Sequence, residues 1–225
     1  MPKKQIEIHD SYYYDGHRKK WKIENIANVP VELPSEKLVR KWLDNWDRTE
    51  GYPQQESALD KLFLRTFPEN NELDDILIKV CTLNDFYSTN IYKVIDVARI
   101  IKEMDIDTEI YSYSVKPELI DELNQKVFEK TGRHIYSFAS KYFSHHRPTL
   151  YPIYDSYVDK MLRYYRDSDK KIVFNDDDLL SYSGFCDAIN QFIVNYHLEN
   201  FTVKEIDKML WQMGKFHFPK YKENE

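Results

Sequence analysis

Glycine is scarce in this chain, with 5 residues among 225. Rossmann folds and β-sandwiches need glycine in their phosphate loops and turns, so both are disfavoured and helices fit better. No apolar run approaches the roughly 18 residues of a membrane span. The start, Met1-Pro-Lys-Lys4, also lacks the apolar stretch of a signal peptide. The sequence therefore predicts a mainly α-helical protein of the cytoplasm, without a membrane partner.

Cysteine and metal-ligand patterns are scarce as well. Cys81 and Cys186 have no CxxC spacing, which predicts two free, buried thiols in a reducing compartment. His134, His145 and His146 lack the spacing of metal ligands, and no P-loop, GxSxG, HExxH or zinc-finger motif is present. We therefore predict no metal and no cofactor.

The residues that are present indicate a folded helical protein. Hydrophobic residues make up 42% of the chain and aromatic residues 15%, including 18 Tyr, which argues against disorder. Residues 1–34 form either a short β-hairpin around Asp15-Gly16 or a partly ordered arm packed on the body. Residues 35–225 follow as one domain of about eight helices.

Several helix ends can be read from local signals. Ser35 is placed to cap the first helix, and Pro117 suits the first turn of another. Thr202 and Glu205 have the spacing of a capping box that opens the last helix, and Gly214 is expected to end it.

Charge is unevenly distributed along the chain. The whole chain carries −6, but residues 131–166 contain six Lys or Arg against two acids, a balance of +4, so the rest sums to −10. This basic segment surrounds Asp155, a lone acid placed just before a helix. The pattern predicts a site that meets an anion.

The motif around Asp155 resembles the core of the helix-hairpin-helix DNA glycosylase superfamily. The run Tyr151-Pro-Ile-Tyr-Asp-Ser-Tyr-Val158 is similar to that family's apolar-Pro-Val-Asp-Thr-His-Val signature, with one extra residue before the acid. Thr131-Gly-Arg133 stands where the family's hairpin ends in Gly-x-basic. The resemblance covers residues 70–165 and implies a glycosylase-like orthogonal bundle of helices.

The resemblance also implies a function in DNA. A member of this superfamily flips a base out of the duplex and cleaves its N-glycosidic bond, in repair or in removal of modified bases such as those of phage DNA. Asp155 would be the catalytic carboxylate, which stabilises positive charge on the sugar or positions water. Tyr136 and Ser137 occupy the positions of the family's nucleophilic lysine. A monofunctional enzyme is therefore expected rather than a Schiff-base lyase.

DNA contacts are expected at six further residues. Gly132, Arg133 and His134 would present a hairpin to phosphate, and Tyr87 would fill the gap left by the flipped base. Lys141 and Lys215 would contact the backbone. For the segment around Lys215, the alternative is a C-terminal helix that docks through Leu210, Trp211 and Phe216.

Other interpretations remain open at this point. Asp155 also has the context of a plain N-cap, and the chain would then be a non-enzymatic helical module that binds nucleic acid or a protein. Asp176-Asp-Asp178 fits either a Mg²⁺ site of a phosphodiester hydrolase or surface charge that compensates a helix dipole. The substrate base and the oligomeric state are not defined by the sequence.

Overall fold

The fold is mainly α-helical, as expected. The computed structural model describes residues 12–14 and 20–219. Within them lie ten α-helices: α1 Glu36–Arg48, α2 Tyr52–Lys61, α3 Leu73–Phe86, α4 Val94–Met104, α5 Asp107–Ile110, α6 Pro117–Thr131, α7 Tyr136–His146, α8 Ser156–Ser168, α9 Tyr182–Asn195 and α10 Val203–His217. A π-helical turn, Leu62–Thr66, continues α2, and a 3-10 turn, Asp178–Leu180, precedes α9. None of the described helices is both long enough and apolar enough to cross a membrane.

The N-terminal segment contains the expected hairpin strands. Strand β1, Tyr12–Tyr14, pairs antiparallel with β2, Lys20–Lys22. The Asp15-Gly16 turn and the residues before position 12 lie outside the described residues. After β2 the chain contacts the helical body, because the Ile26 N–H donates to the His217 carbonyl at 2.9 Å. The Tyr165 hydroxyl likewise donates to the Glu32 carbonyl at 2.7 Å.

Local capping signals predicted the helix starts well. The Ser35 hydroxyl accepts from the Leu38 N–H, and Pro117 opens α6. Thr202 and Glu205 form the reciprocal capping box of α10. These caps satisfy backbone donors that a helix cannot satisfy internally, and they can be read from a few adjacent residues.

Helix α7 runs through the centre of the bundle. Every residue from Phe138 to His146 is buried. The helix contacts α3, α6 and the π-helical turn. A helix enclosed in this way is usually apolar on all sides. Here its buried polar residues, Ser140, Lys141, Ser144, His145 and His146, each need a partner inside the protein.

The end expected for α10 at Gly214 is wrong, because the helix continues to His217. Gly214 instead allows close approach to α8. A Cβ atom built on it would lie 2.5 Å from the Tyr157 carbonyl oxygen and 2.8 Å from the carbonyl carbon. The glycine is therefore required by tertiary packing, which is not visible in the local sequence.

We expect Gly214→Ala to destabilise the protein by about 1–3 kcal/mol, the usual cost of overpacking. The sign of the change in stability is informative, because Gly→Ala at an open helical site stabilises a protein by up to about 1 kcal/mol. Urea unfolding of the two proteins measures the difference. A variant as stable as wild type would contradict the close contact between α8 and α10.

The expected burial of the cysteines is wrong for Cys81, which is exposed, and Cys186 is half-buried. Both thiols are free. Helix α3 buries Ile76, Val80 and Leu83, and Cys81 lies about 100° further around the helix than Val80. Its face is the exposed one that also carries Ile78.

The basic segment 131–166 is not a basic surface. Arg163, Lys160 and Lys141 are buried, and Arg147 and Arg166 are partly buried. Arg163 and Arg166 pair with acids such as Asp176, outside the segment. Lys160 donates to the Phe218 carbonyl at 3.2 Å. The charge count over residues 131–166 missed these partners because Asp176 and Phe218 lie beyond its end, and a count cannot show that a side chain is buried.

Candidate active site

A cavity of about 290 Å³ opens among α1, α2, α3, α7, α8 and α10. Four residues singled out from the sequence line it, namely Asp155, Lys141, Tyr87 and Lys215. Its volume is close to the lower end of the 300–1,000 Å³ typical of small-molecule sites. The cavity can therefore hold a small ligand.

Asp155 serves both as a helix cap and as part of the cavity wall. Its Oδ1 accepts from the Tyr157 N–H at 2.9 Å, which caps α8. Its Oδ2 lies 3.6 Å from Lys141 Nζ, and 17% of the side chain is exposed. The two sequence interpretations of Asp155 are thus compatible, because one oxygen caps the helix and the other faces a cation.

Lys141 lies inside the protein, at the wall of the cavity, and not on the exposed surface. Only 3% of its side chain is exposed. Nζ donates to the Ser137 hydroxyl at 2.7 Å and lies 5.2 Å from the centre of the Tyr87 ring. Lys141 follows Ser137 by one helical turn, on the same face. The structure therefore supplies a lysine beside Asp155 from a position other than the one the resemblance indicated.

Tyr87 and His145 form a neutral pair at the cavity wall. The Tyr87 hydroxyl lies 2.9 Å from His145 Nε2. Burial raises the pKa of the Tyr87 hydroxyl, although the ring is partly exposed. Burial, reinforced by the charge of Lys204, lowers the pKa of His145 to about 3. The adjacent His146 points elsewhere, 3.4 Å from Lys79 Nζ.

Three aromatic rings form one side of the cavity. Trp46 lies 4.8 Å from Tyr52 and 6.0 Å from Trp211 between ring centres. Lys208 Nζ lies 5.0 Å from the Trp46 ring, and Lys215 Nζ lies 5.0 Å from the Trp211 ring. The sequence did not single out Trp46, and it offered Trp211 only as part of an alternative in which the C-terminal helix docks on the body. Their helical spacing is the same for a core residue and for a cavity wall.

The cations around the cavity are only partly neutralised. Glu56 pairs with Lys204 at 2.8 Å and with Lys208 at 2.7 Å. Burial alone would raise the pKa of Glu56, but the hydrogen bonds and charges of these lysines outweigh it and lower the pKa. Lys215 is exposed and donates to the Tyr52 hydroxyl at 2.9 Å. A lysine that is bonded to a neutral hydroxyl keeps its full charge for an anion.

Asp207 is a cavity residue that sequence reasoning missed. Its Oδ2 accepts from the Ile153 N–H at 2.8 Å, while Oδ1 is buried and has no hydrogen-bond partner among the described residues. Burial raises the pKa of this carboxyl group well above its ordinary range. The Ile153 N–H and the charge of Lys141 oppose that shift without reversing it. The only sign of its burial in the sequence was its position on α10, directly after the apolar Ile206 and three residues before the apolar Leu210.

Gly132, Arg133 and His134 lie away from the cavity. Gly132 ends α6 with a φ of 74°, a left-handed conformation that glycine adopts readily. The Arg133 guanidinium lies 4.9 Å from the Tyr92 ring and donates to the Asn90 carbonyl at 3.1 Å. His134 stacks on Phe128. Arg133 and His134 line a separate recess, whose lining shares no residue with that of the cavity.

The acidic run 176–178 has internal roles. Asp176 accepts from Arg163 at 3.0 Å and from Arg166 at 2.8 Å. Asp178 accepts from the Asn175 N–H at 2.7 Å. Over residues 12–14 and 20–219, no group of three or more His, Cys, Asp or Glu side chains is arranged to hold a metal ion. These contacts support a structural role for the run.

Comparison with known proteins gave one family and one relative. The family HI_0787_N, described as an N-terminal domain, matches residues 38–150. An uncharacterized protein of Haemophilus influenzae is 37% identical over 151 residues, which cover 67% of this chain and 71% of that protein. No solved structure matches the chain. The family match includes Trp46, Tyr87 and Lys141 and ends before Asp155.

Proposed function

We propose that this chain, which belongs to the HI_0787_N family, binds a nucleobase in the cavity and hydrolyses its N-glycosidic bond within DNA. The observation that carries this proposal is the position of Asp155. This carboxylate lies at the wall of an aromatic-lined cavity of suitable volume, 3.6 Å from a buried lysine. Its biological setting would be repair, or removal of modified bases.

The cavity contains the chemical groups that this reaction needs. Departure of a base builds positive charge on the sugar, and a nearby carboxylate stabilises that charge or orients the attacking water. Asp155 Oδ2 would perform this role while Oδ1 holds α8 in place. Trp46 and Trp211 provide the aromatic faces on which bases stack, an interaction worth about 1–3 kcal/mol per base.

The DNA backbone would contact the cations near the cavity. Lys204, Lys208 and Lys215 line it, and Lys215 is exposed. Arg133, in the second recess, would hold a phosphate further along the strand, as the helix-hairpin-helix resemblance implies. Since the chain as a whole carries −6, binding would depend on these local clusters.

A non-enzymatic module is the second candidate, and one contact favours it. Asp155 Oδ1 is already occupied by the Tyr157 N–H, so the acid has a structural role whether or not it is catalytic. A module would bind nucleotides in the cavity without releasing a base.

The position of Lys141 makes covalent chemistry a specific point to test. We expect sodium borohydride to trap no enzyme–DNA adduct on a duplex from which the protein releases base. Lys141 Nζ is engaged by the Asp155 carboxylate and the Ser137 hydroxyl, so it is poorly placed to act as a free amine. Gel electrophoresis after reduction measures the adduct.

The matched variant for this experiment is Lys141→Met, which keeps an unbranched side chain one atom shorter and removes the amine. A wild-type adduct that disappears in Lys141→Met would contradict the monofunctional mechanism. It would assign the lysine as the nucleophile of a lyase.

A further inference from the structure

Asp207 is the strongest unexplained feature of the cavity. It lies on α10, is 5% exposed, and lines the same cavity as Asp155. A buried polar atom without a hydrogen bond costs about 1–3 kcal/mol, so such atoms are rare in folded proteins. Asp207 Oδ1 is one of them among the described residues. A bound ligand is a direct way to supply the missing partner.

We propose that Asp207 Oδ1 forms a hydrogen bond with the edge of the bound base and thereby selects the ligand. This inference rests on the proposed nucleobase cavity, and it assigns to Asp207 a role separate from bond cleavage. The ligand class is a planar heterocycle that stacks on Trp46 or Trp211 and turns one polar edge toward α10.

The surroundings of Asp207 determine the direction of that hydrogen bond. The Ile153 N–H donates to Oδ2, so Oδ2 is the oxygen that must keep a lone pair. Burial favours the protonated carboxyl group, as its raised pKa indicates. In the protonated form, Oδ2 accepts from Ile153 as the carbonyl oxygen, and the proton on Oδ1 makes that atom the donor. The matching group on the base is an acceptor, either a ring nitrogen or a carbonyl oxygen.

The other titratable groups near Asp207 do not supply a hydrogen bond to its Oδ1. Those in electrostatic contact with it or across the cavity are Lys141 and His145 on α7, Tyr87 directly after α3, Tyr182 and Cys186 on α9, Tyr52 and Glu56 on α2, Asp155 before α8, and Lys204, Lys208 and Lys215 on α10. Lys141 has contacts with Ser137 and Asp155, and Glu56 is held by Lys204 and Lys208.

The test uses the full chain and the four 2′-deoxynucleoside 5′-monophosphates as probes. Binding is followed by the fluorescence of the tryptophans, since Trp46 and Trp211 line the cavity. Asp207→Asn keeps an acceptor for the Ile153 N–H and a permanent N–H donor at the other position. Asp207→Leu keeps the branched shape but has no polar atom, and its two methyl groups make it larger than Asp.

We expect at least one nucleotide to bind wild type, with Asp207→Asn within about threefold and Asp207→Leu weakened about tenfold, the scale of one hydrogen bond. Infrared difference spectra should also show the C=O band of a protonated carboxyl group in wild type. That band should shift when the nucleotide binds and be absent in Asp207→Asn. A purely structural Asp207 would not respond to the ligand.

Three results would overturn the inference: no nucleotide binds wild type, all three proteins bind equally, or Asn and Leu weaken binding equally. Thermal unfolding of each variant shows whether it is folded, and Asp207→Asn keeps the test valid if Asp207→Leu is not. Nucleotide binding with this pattern but without base release would remove the proposed hydrolysis and leave the inference standing. Base release that is insensitive to Asp207 would remove the inference alone.

Discussion

Asp155→Asn should lower the rate of base release by at least about a hundredfold, the scale of losing one key electrostatic group in an active site. The substitution deletes the negative charge next to the sugar but keeps the shape of the side chain. Affinity for DNA should change little, because the carboxylate acts mainly on the transition state. Single-turnover rates and fluorescence anisotropy measure the two quantities separately.

The stability of Asp155→Asn should fall only modestly. Asn caps a helix about as well as Asp, so the contact with the Tyr157 N–H is retained. Lys141 loses a charged neighbour at 3.6 Å but keeps the Ser137 hydroxyl, so we expect a loss of about 1–3 kcal/mol.

Two further variants separate the roles of Asp155. Asp155→Ser also caps the helix and lacks the charge, so it should be as inactive as the Asn variant. Asp178→Asn alters a carboxylate that caps a turn outside the cavity, and it should release base at the wild-type rate. An active Asp155→Asn would show that the acid is a structural cap. An Asp178→Asn variant that is folded but inactive would indicate that the acidic run 176–178 is a catalytic site.

Arg163→Met should destabilise the protein by about 3–5 kcal/mol, the usual cost of breaking a buried ion pair. The Arg163 side chain is completely buried, and its Nε donates to Asp159 Oδ1 at 2.5 Å. Asp159 would be left as a buried carboxylate with the Tyr154 hydroxyl as its remaining described side-chain partner. Urea unfolding with unchanged m-values measures the loss.

The matched control is Arg166→Met, three residues further along α8. Arg166 pairs with Asp167 and Asp176 but is partly exposed, so its loss should cost about 1 kcal/mol or less. Adding Asp159→Asn to Arg163→Met should restore part of the stability, because it removes the uncompensated charge. Equal effects of the two arginine variants would contradict the buried network.

The elements of the fold could be predicted because their signals are local. Ser35, Pro117 and the Thr202–Glu205 box each act on backbone groups within one turn, and the structure confirms all three. Gly214 and Cys81 were predicted wrongly because their environment is set by another helix or by a small rotation around their own helix. A local pattern shows that a helix exists but does not specify what each of its faces contacts.

The cavity was only partly predictable for the same reason. Asp155 stood out because a proline-rich turn precedes it, and the cavity brings it together with Tyr87, Lys141 and Lys215. Asp207 was missed, since a buried acid looks like a surface acid until tertiary burial raises its pKa.

The residues expected to bind phosphate, Gly132, Arg133 and His134, do not line the cavity. Arg133 and His134 line a separate recess, so sequence proximity to the Asp155 motif did not place them in the cavity. The basic segment was also misleading as a surface feature, because Arg163 pairs inside the protein with Asp159 and Asp176, and buried Lys160 donates to the Phe218 carbonyl. Charge counted along the chain says little about charge on the surface when the charged side chains are buried.

Base hydrolysis in the cavity is tested most directly by chromatographic detection of free base after the full chain is incubated with a panel of duplexes that each carry one modified base. We expect at least one duplex to release its base with wild type. On that duplex, Asp155→Asn should be at least about a hundredfold slower. No base released from any duplex, by a folded wild-type protein that binds them, would contradict the hydrolase and leave the cavity as a binding site.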